Sequence, residues 1–235
     1  MTGASQEAGF ASGLRLELGL PGTLAMHGLE LQDETTHATD ACLPERLRGA
    51  SPKRRREFIA GRLCASIALS GAGYGGPAWL AQDSDGLPVW PKGWTGCISH
   101  STSMVLAAAC PTSTHRSLGL DIEELGTPRH AAEIASSVGQ PRELALLGDW
   151  PSAVAVILLF SAKESLYKAL FPRLRVFREF SAARLVAVSA GRLRLRLEED
   201  WGTGWPAGRV VEVRHACRHN HVITACCPAW ADTGA

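Results

Sequence analysis

The chain has 235 residues, with 24 basic and 23 acidic side chains and a formal charge of +1 at pH 7. So even a balance excludes a generic polyanion binder, whose footprint is a strongly basic domain, and no nucleic-acid partner is expected. A hydrophobic fraction of 46% suits a globular chain with a sizeable core, as one large domain or two small ones.

In chain order, residues 1–13 are small and polar and are expected to be frayed. From Lys53, apolar Phe58, Ile59, Leu63, Ile67 and Leu69 recur at helical spacing, until Gly71, Gly73, Gly75, Gly76 and Pro77 stop the helix. A loop with Gly86, Pro88 and Pro91 leads to short strand-like runs at residues 96–99 and 104–110. Arg116 to Glu123 reads as a strand, with Leu118, Leu120 and Ile122 on one face and Gly119, Asp121 and Glu123 on the other. Residues 128–150 mix Ala-rich helical stretches with breaks. Val154 to Leu170 is the strongest helix, which Pro172 is expected to end. Strands are predicted over 185–188, 193–197, 210–214 and 221–226, with Arg218-His219-Asn220 as a hairpin turn. The order of helix, strands, helix, strands predicts an α+β fold of two similar halves joined near residues 111–117.

The longest apolar run, Ala153 to Phe160, is far shorter than the roughly 18 residues needed to span a bilayer. No basic stretch followed by an apolar one marks a secretory leader. The 7 cysteines are odd in number and contain no C-x-x-C, so reduced thiols and a cytoplasmic location are expected.

Five features could carry chemistry. Asp121 and Glu123 project from one side of a strand, which suits Mg²⁺ or equally a solvated strand face. Lys163, Glu164 and Lys168 fall late in a very apolar helix, as a third carboxylate with two ammonium groups or as an ordinary i, i+4 salt bridge. Ser99-His100-Ser101 follows a strand but lacks a G-x-S-x-G elbow, so it does not announce a hydrolase. Lys53 to Arg56, followed by Arg62, is a basic run at a helix N-terminus, where cations oppose the macrodipole but anions bind well, or equally a solvated charged face. His215, Cys217, His219 and His221 look like a metal tract, yet match no common zinc spacing and straddle the predicted hairpin turn. Lysine is scarce, only Lys53, Lys92, Lys163 and Lys168 against 20 Arg, so two lysines within residues 160–169 stand out.

Together these pieces resemble the 4′-phosphopantetheinyl transferases, in particular the larger monomeric type that serves siderophore, nonribosomal-peptide and polyketide synthases. The strand Gly119-Leu120-Asp121-Ile122-Glu123 resembles the family's G-x-D-x-E. Glu164, 43 residues after Asp121, lies in Phe160-Ser161-Ala162-Lys163-Glu164-Ser165-Leu166-Tyr167-Lys168, which resembles its [FW]-x-x-K-E-x-x-x-K. Upstream, Gly86 to Pro91 and Gly96 to Ser101 resemble G-x-P-x-W-P and G-S-I-S-H-S, and Arg55 to Leu63 the first basic helix. Leu87 stands where some relatives have Lys, and Cys97 where Ser is usual.

The resemblance implies two α+β halves, residues 14–115 and 116–235, related by a pseudo-twofold with the active site in the cleft between them. It implies transfer of 4′-phosphopantetheine from coenzyme A to a serine of an acyl or peptidyl carrier protein, with release of adenosine 3′,5′-bisphosphate. It assigns Mg²⁺, with Mn²⁺ as the other candidate ion, to Asp121, Glu123 and Glu164. Glu164 is also the implied general base, directly or through water. Lys163 and Lys168 are expected on the pyrophosphate, Lys168 aiding the leaving phosphate. Arg54 and Arg62 are expected on nucleotide phosphates, His100 on the 3′-phosphate, and Pro88 and Ser99 beside adenine, with Gly86 in the same cofactor-binding stretch. A monomer with no membrane contact is expected. The competing readings are another Mg²⁺-dependent phosphoryl-transfer or phosphodiester-cleaving enzyme, and a non-enzymatic binder using Lys53 to Arg56.

Overall fold

The computed structural model describes residue 11, residues 13–31 and residues 43–229, so the expected frayed segment 1–13 lies almost wholly outside the described residues. The chain divides into two compact units between Thr114 and His115. In each, a long helix packs on an antiparallel sheet, so the fold is α+β.

The first unit holds β1 (Ala25–Glu30), α1 (Glu45–Arg48), α2 (Pro52–Gly71), β2 (Trp94–His100) and β3 (Met104–Pro111), with strand order β1-β3-β2. Ser51 starts α2, its hydroxyl accepting from the Arg54 N–H with Pro52 just inside the helix. The basic run therefore occupies the first turn. Small residues let α2 lie close on the sheet: Ala60, Cys64, Ala65 and Ala68 pack against Val105, Ala107 and Ala109 of the central strand. Strand β1 escapes the sequence pattern. AMHGLE has little β-branched character and a Gly inside, and its partner β3 is far away in sequence.

The second unit holds β4 (Gly119–Glu124), α3 (Pro128–Val138), α4 (Pro141–Ala145), α5 (Ser152–Leu174), a 3₁₀ turn (Phe180–Ala182), β5 (Ala183–Ser189), β6 (Arg192–Leu197), β7 (Val210–Arg218) and β8 (His221–Cys226). The sheet order is β4-β8-β7-β6-β5, with every neighbour antiparallel. Leu158, Leu159, Ala162, Leu166 and Leu170 of α5 form the core with Leu193, Leu195, Val213 and Val222 of the sheet. Pro172 does not end α5. It removes one backbone donor near the C-terminus, and the helix runs on to Leu174, where Arg175 (φ 54) caps it by donating its N–H to Phe171 O at 2.8 Å.

One contact sets how close α5 lies to β4. A Cβ built on Gly119 would sit 1.8 Å from Ser165 O and 2.7 Å from Ala169 N, so only hydrogen fits there. Thr224 of β8 pins the same helix, bonding Ser161 O at 2.8 Å and the Ser161 hydroxyl at 2.9 Å. Gly119→Ala is predicted to lower stability by about 3 kcal/mol or more, since backbone rather than a flexible side chain must move. Thermal or urea unfolding measures this, and a variant as stable as the wild type would contradict the close approach.

Candidate active site

Asp121 lies on β4 two residues beyond Gly119, where α5 comes closest. It is 1% exposed, and its Oδ1 accepts from Lys168 Nζ at 2.5 Å. Asp121 is therefore not on a solvated strand face: Gly119 to Ile122 are all buried, while Glu123 is partly buried. Glu123 and Glu164 feel the same field. Burial, then the Asp121 charge, pushes Glu123 up from 4.5 to about 7; Lys168 opposes this and Glu164 and Glu124 add to it. Glu164 is raised first by burial, with Lys168 pulling it down and Asp121 pushing it up.

This set fits a hard divalent cation in its chemistry: all three groups offer carboxylate oxygens, and their mutual repulsion is what such a cation relieves. Among the described residues, no three His, Cys, Asp or Glu side chains close into a finished metal cage. Lys168 supplies positive charge to Asp121 directly.

Lys163 requires a correction. It is 4% exposed, and its Nζ donates to Val138 O at 2.8 Å and Phe180 O at 3.1 Å and lies 2.9 Å from Glu143 Oε1. An ammonium has three N–H donors, so no donor is left for a pyrophosphate. Adjacent helix residues point about 100° apart, so Lys163 faces the core while Glu164 does not.

The first unit carries the basic set. Arg54 Nη1 lies 3.3 Å from Glu57 Oε2 and 3.3 Å from His100 Nε2, and His100 Nε2 lies 3.7 Å from the same Glu57 oxygen. Arg62 is buried, donates from Nε to Leu80 O at 2.9 Å and stacks on Phe58 at 4.5 Å. Its Nη2 is buried with no hydrogen-bond partner among the described residues. Burial, then the charges of Arg46 and Arg54, lowers Arg62 from 12.5 to about 10. Arg46 donates to Gln82 at 3.2 Å, and Gln82 in turn donates to Gly86 O at 2.9 Å. Gly86 (φ +84) turns the loop, with Asp83 accepting from the Leu87 N–H, and brings Pro88 opposite Gln82. Ser99 is buried in β2 beside His100. Arg46 and Glu57 were not singled out by the sequence. Glu57 was readable, at i+3 from Arg54 on the helix, whereas Arg46 reaches its partners only through the fold.

The tract at residues 215–221 forms a hairpin, with His219 at φ 53 in its turn. His215 packs edge-on to Trp150 at 5.8 Å, and His221 lies 3.6 Å from Glu124.

The raised Glu123 has a consequence for stability. The folded chain holds that proton more tightly than the unfolded one, so its contribution is complete below pH 4.5 and lost as pH rises through about 7. Between these values the metal-free wild type should lose more Tm than Glu123→Gln; equal slopes would contradict the clustering. Lys168→Arg should cut activity at least about tenfold, because a planar fork replaces a compact ammonium at 2.5 Å from Asp121. Exposed Lys92→Arg should leave turnover unchanged, and equal effects at the two sites would contradict this.

The family described as 4′-phosphopantetheinyl transferase N-terminal domain matches residues 43–110, and the 4′-phosphopantetheinyl transferase superfamily matches residues 117–226. The chain is 32% identical over 204 residues to enterobactin synthase component D of Salmonella typhi, covering 85% of this chain and 84% of that protein. It is 37% identical over 121 residues to the 4′-phosphopantetheinyl transferase Npt of Nocardia iowensis (51% and 53% covered). It is 35% identical over 151 residues to the 4′-phosphopantetheinyl transferase Svp of Streptomyces mobaraensis (63% and 61% covered). With both family matches in order along one chain, and the buried carboxylate strand and Lys-Glu helix inside the second, the protein belongs to the 4′-phosphopantetheinyl transferase superfamily.

Proposed function

We propose that the chain moves 4′-phosphopantetheine from coenzyme A to a serine hydroxyl of an acyl or peptidyl carrier protein, with Mg²⁺ and with release of adenosine 3′,5′-bisphosphate. The observation that carries this reading is the buried Asp121, in contact with Lys168 and in the field of Glu123 and Glu164. Phosphoryl transfer asks a protein mainly for positioning and charge. The serine oxygen–phosphorus bond forms, the phosphorus–oxygen bond of the pyrophosphate breaks, and the serine proton must leave.

Glu164, raised above its ordinary range, is the base for that proton, directly or through water. Asp121, Glu123 and Glu164 would hold the Mg²⁺, which when bound offsets charge on the pyrophosphate. Asp121 steadies the Lys168 ammonium, which donates to the departing phosphate. The Arg62 Nη2 donor suits a nucleotide phosphate, as do Arg54 and the neighbouring Arg46. His100, beside Arg54 and Glu57, suits the 3′-phosphate, and Gly86, Pro88 and Ser99 the adenine side.

Beside Glu164 is a cavity of about 130 Å³ walled by Tyr167, Phe177, Phe180 and Trp201. The Trp201 indole N–H is buried with no acceptor among the described residues. An apolar arm carrying amide carbonyls, as pantetheine does, meets both features. The carrier, coenzyme A and the ion are the expected partners of a monomeric enzyme.

Incubating an apo carrier with coenzyme A and Mg²⁺ should add the mass of one phosphopantetheine, read by intact-protein mass spectrometry. Asp121→Ala and Glu164→Ala should each lose activity by about 10³-fold or more while remaining folded. Near-normal rates in either would overturn the assignment. His100→Ala should weaken coenzyme A binding about tenfold, the worth of one charge-assisted hydrogen bond. A selective loss of carrier binding would contradict its role.

A further inference from the structure

We propose that Glu143, acting through Lys163, is a positioning residue: the buried pair fixes the rotation of α5 at the turn that carries Glu164. The proposal rests on the reading in which Glu164 is a metal ligand and base. Lys163 immediately precedes Glu164, so whatever holds Lys163 sets the direction in which the next side chain leaves the helix.

The restraint is three-directional. Lys163 Nζ is bound by Val138 O, the last residue of α3, by Phe180 O in the 3₁₀ turn, and by Glu143 Oε1 in α4. Glu143 is held as firmly. Its Oε2 accepts from the Gln140 N–H at 2.8 Å, and its Oε1 accepts from the Leu185 N–H of β5 at 2.9 Å. Both side chains are 3% exposed. Four elements are thus tied to one point on α5. The joint between α3 and α4 is equally tight, since a Cβ on Gly139 would stand 2.5 Å from Leu159 of α5 and 3.4 Å from Glu143 Oε2.

The charges depend on one another. Burial alone drives the Lys163 ammonium toward losing its proton, and Glu143 opposes this. Burial raises Glu143, but its bonds from Gln140, Lys163 and Leu185 outweigh that and hold it below the usual range. A buried ion pair adds little net stability over an apolar pair of the same size; what it adds is direction. Methionines at both positions would fill the space yet leave α5 free to turn by some degrees.

The test compares wild type, the double variant Glu143→Met/Lys163→Met and the single variant Glu143→Gln. Readouts are Tm, calorimetric affinities for Mg²⁺ and coenzyme A without carrier, and kcat and KM for carrier modification. The folded double variant should show a fall in kcat of about tenfold or more and Mg²⁺ affinity weakened several-fold, with coenzyme A affinity within about twofold of wild type. Unchanged kcat and Mg²⁺ affinity would reduce the pair to packing and overturn the proposal. Weakened coenzyme A binding with kcat intact would make Lys163 a pyrophosphate ligand and also overturn it. If the double variant does not fold, Glu143→Gln decides, because it keeps the shape and removes the charge. The same shift in kcat and Mg²⁺ affinity, smaller in size, is expected, and wild-type values would overturn the proposal. A wild-type chain that modifies no apo carrier would instead sink the functional reading, and this proposal with it.

Discussion

A carboxylate taken out of water needs a cation, and the cation that Asp121 meets comes from a helix. Lys168 reaches it across the gap between α5 and β4 at 2.5 Å. That gap is narrow because Gly119 has no side chain to hold the helix backbone off the strand. A larger residue at 119 would push α5 outward, and Lys168 and Glu164 would move together away from Asp121. The glycine of the strand motif and the charges of the helix motif are thus two ends of one packing constraint. Thr224, opposite Asp121 in the ladder, holds α5 from the neighbouring strand.

The same closeness explains the electrostatics. Three carboxylates face one ammonium, so the acidic groups outnumber their counter-ion and two of them are pushed up. In the first unit the imbalance is reversed. Burial and the charges of Arg46 and Arg54 lower Arg62, whose buried Nη2 donor has no acceptor among the described residues. Each unit taken by itself is thus unbalanced, the second toward binding a cation and the first toward binding an anion.

Much of this was legible in the sequence. The i, i+2 carboxylates gave strand β4 its chemistry, and the apolar run before Lys163 marked α5. Direction was not legible. Lys163 and Lys168 look alike in the motif, yet one is consumed by core acceptors and the other meets Asp121, and only the packing of the helix decides which. Glu143 was missed for a related reason: its backbone partner Leu185 is 42 residues away. Strand β1 was missed because its pairing with β3 is equally non-local. Pro172 misled because a proline near a helix C-terminus removes a single bond and need not stop the chain there. The scarcity of lysine pointed to the helix, where Lys163 is held by Val138, Phe180 and Glu143 and Lys168 meets Asp121.

Under the proposed function, Asp121, Glu123 and Glu164 form an acidic site completed by a divalent ion in the presence of coenzyme A. Calorimetric titration of Mg²⁺ into the coenzyme A-saturated protein tests it most directly. One Mg²⁺ should bind to wild type and none measurably to Asp121→Asn, with unfolding temperatures showing both proteins folded. Binding of equal strength in a folded Asp121→Asn would contradict the account.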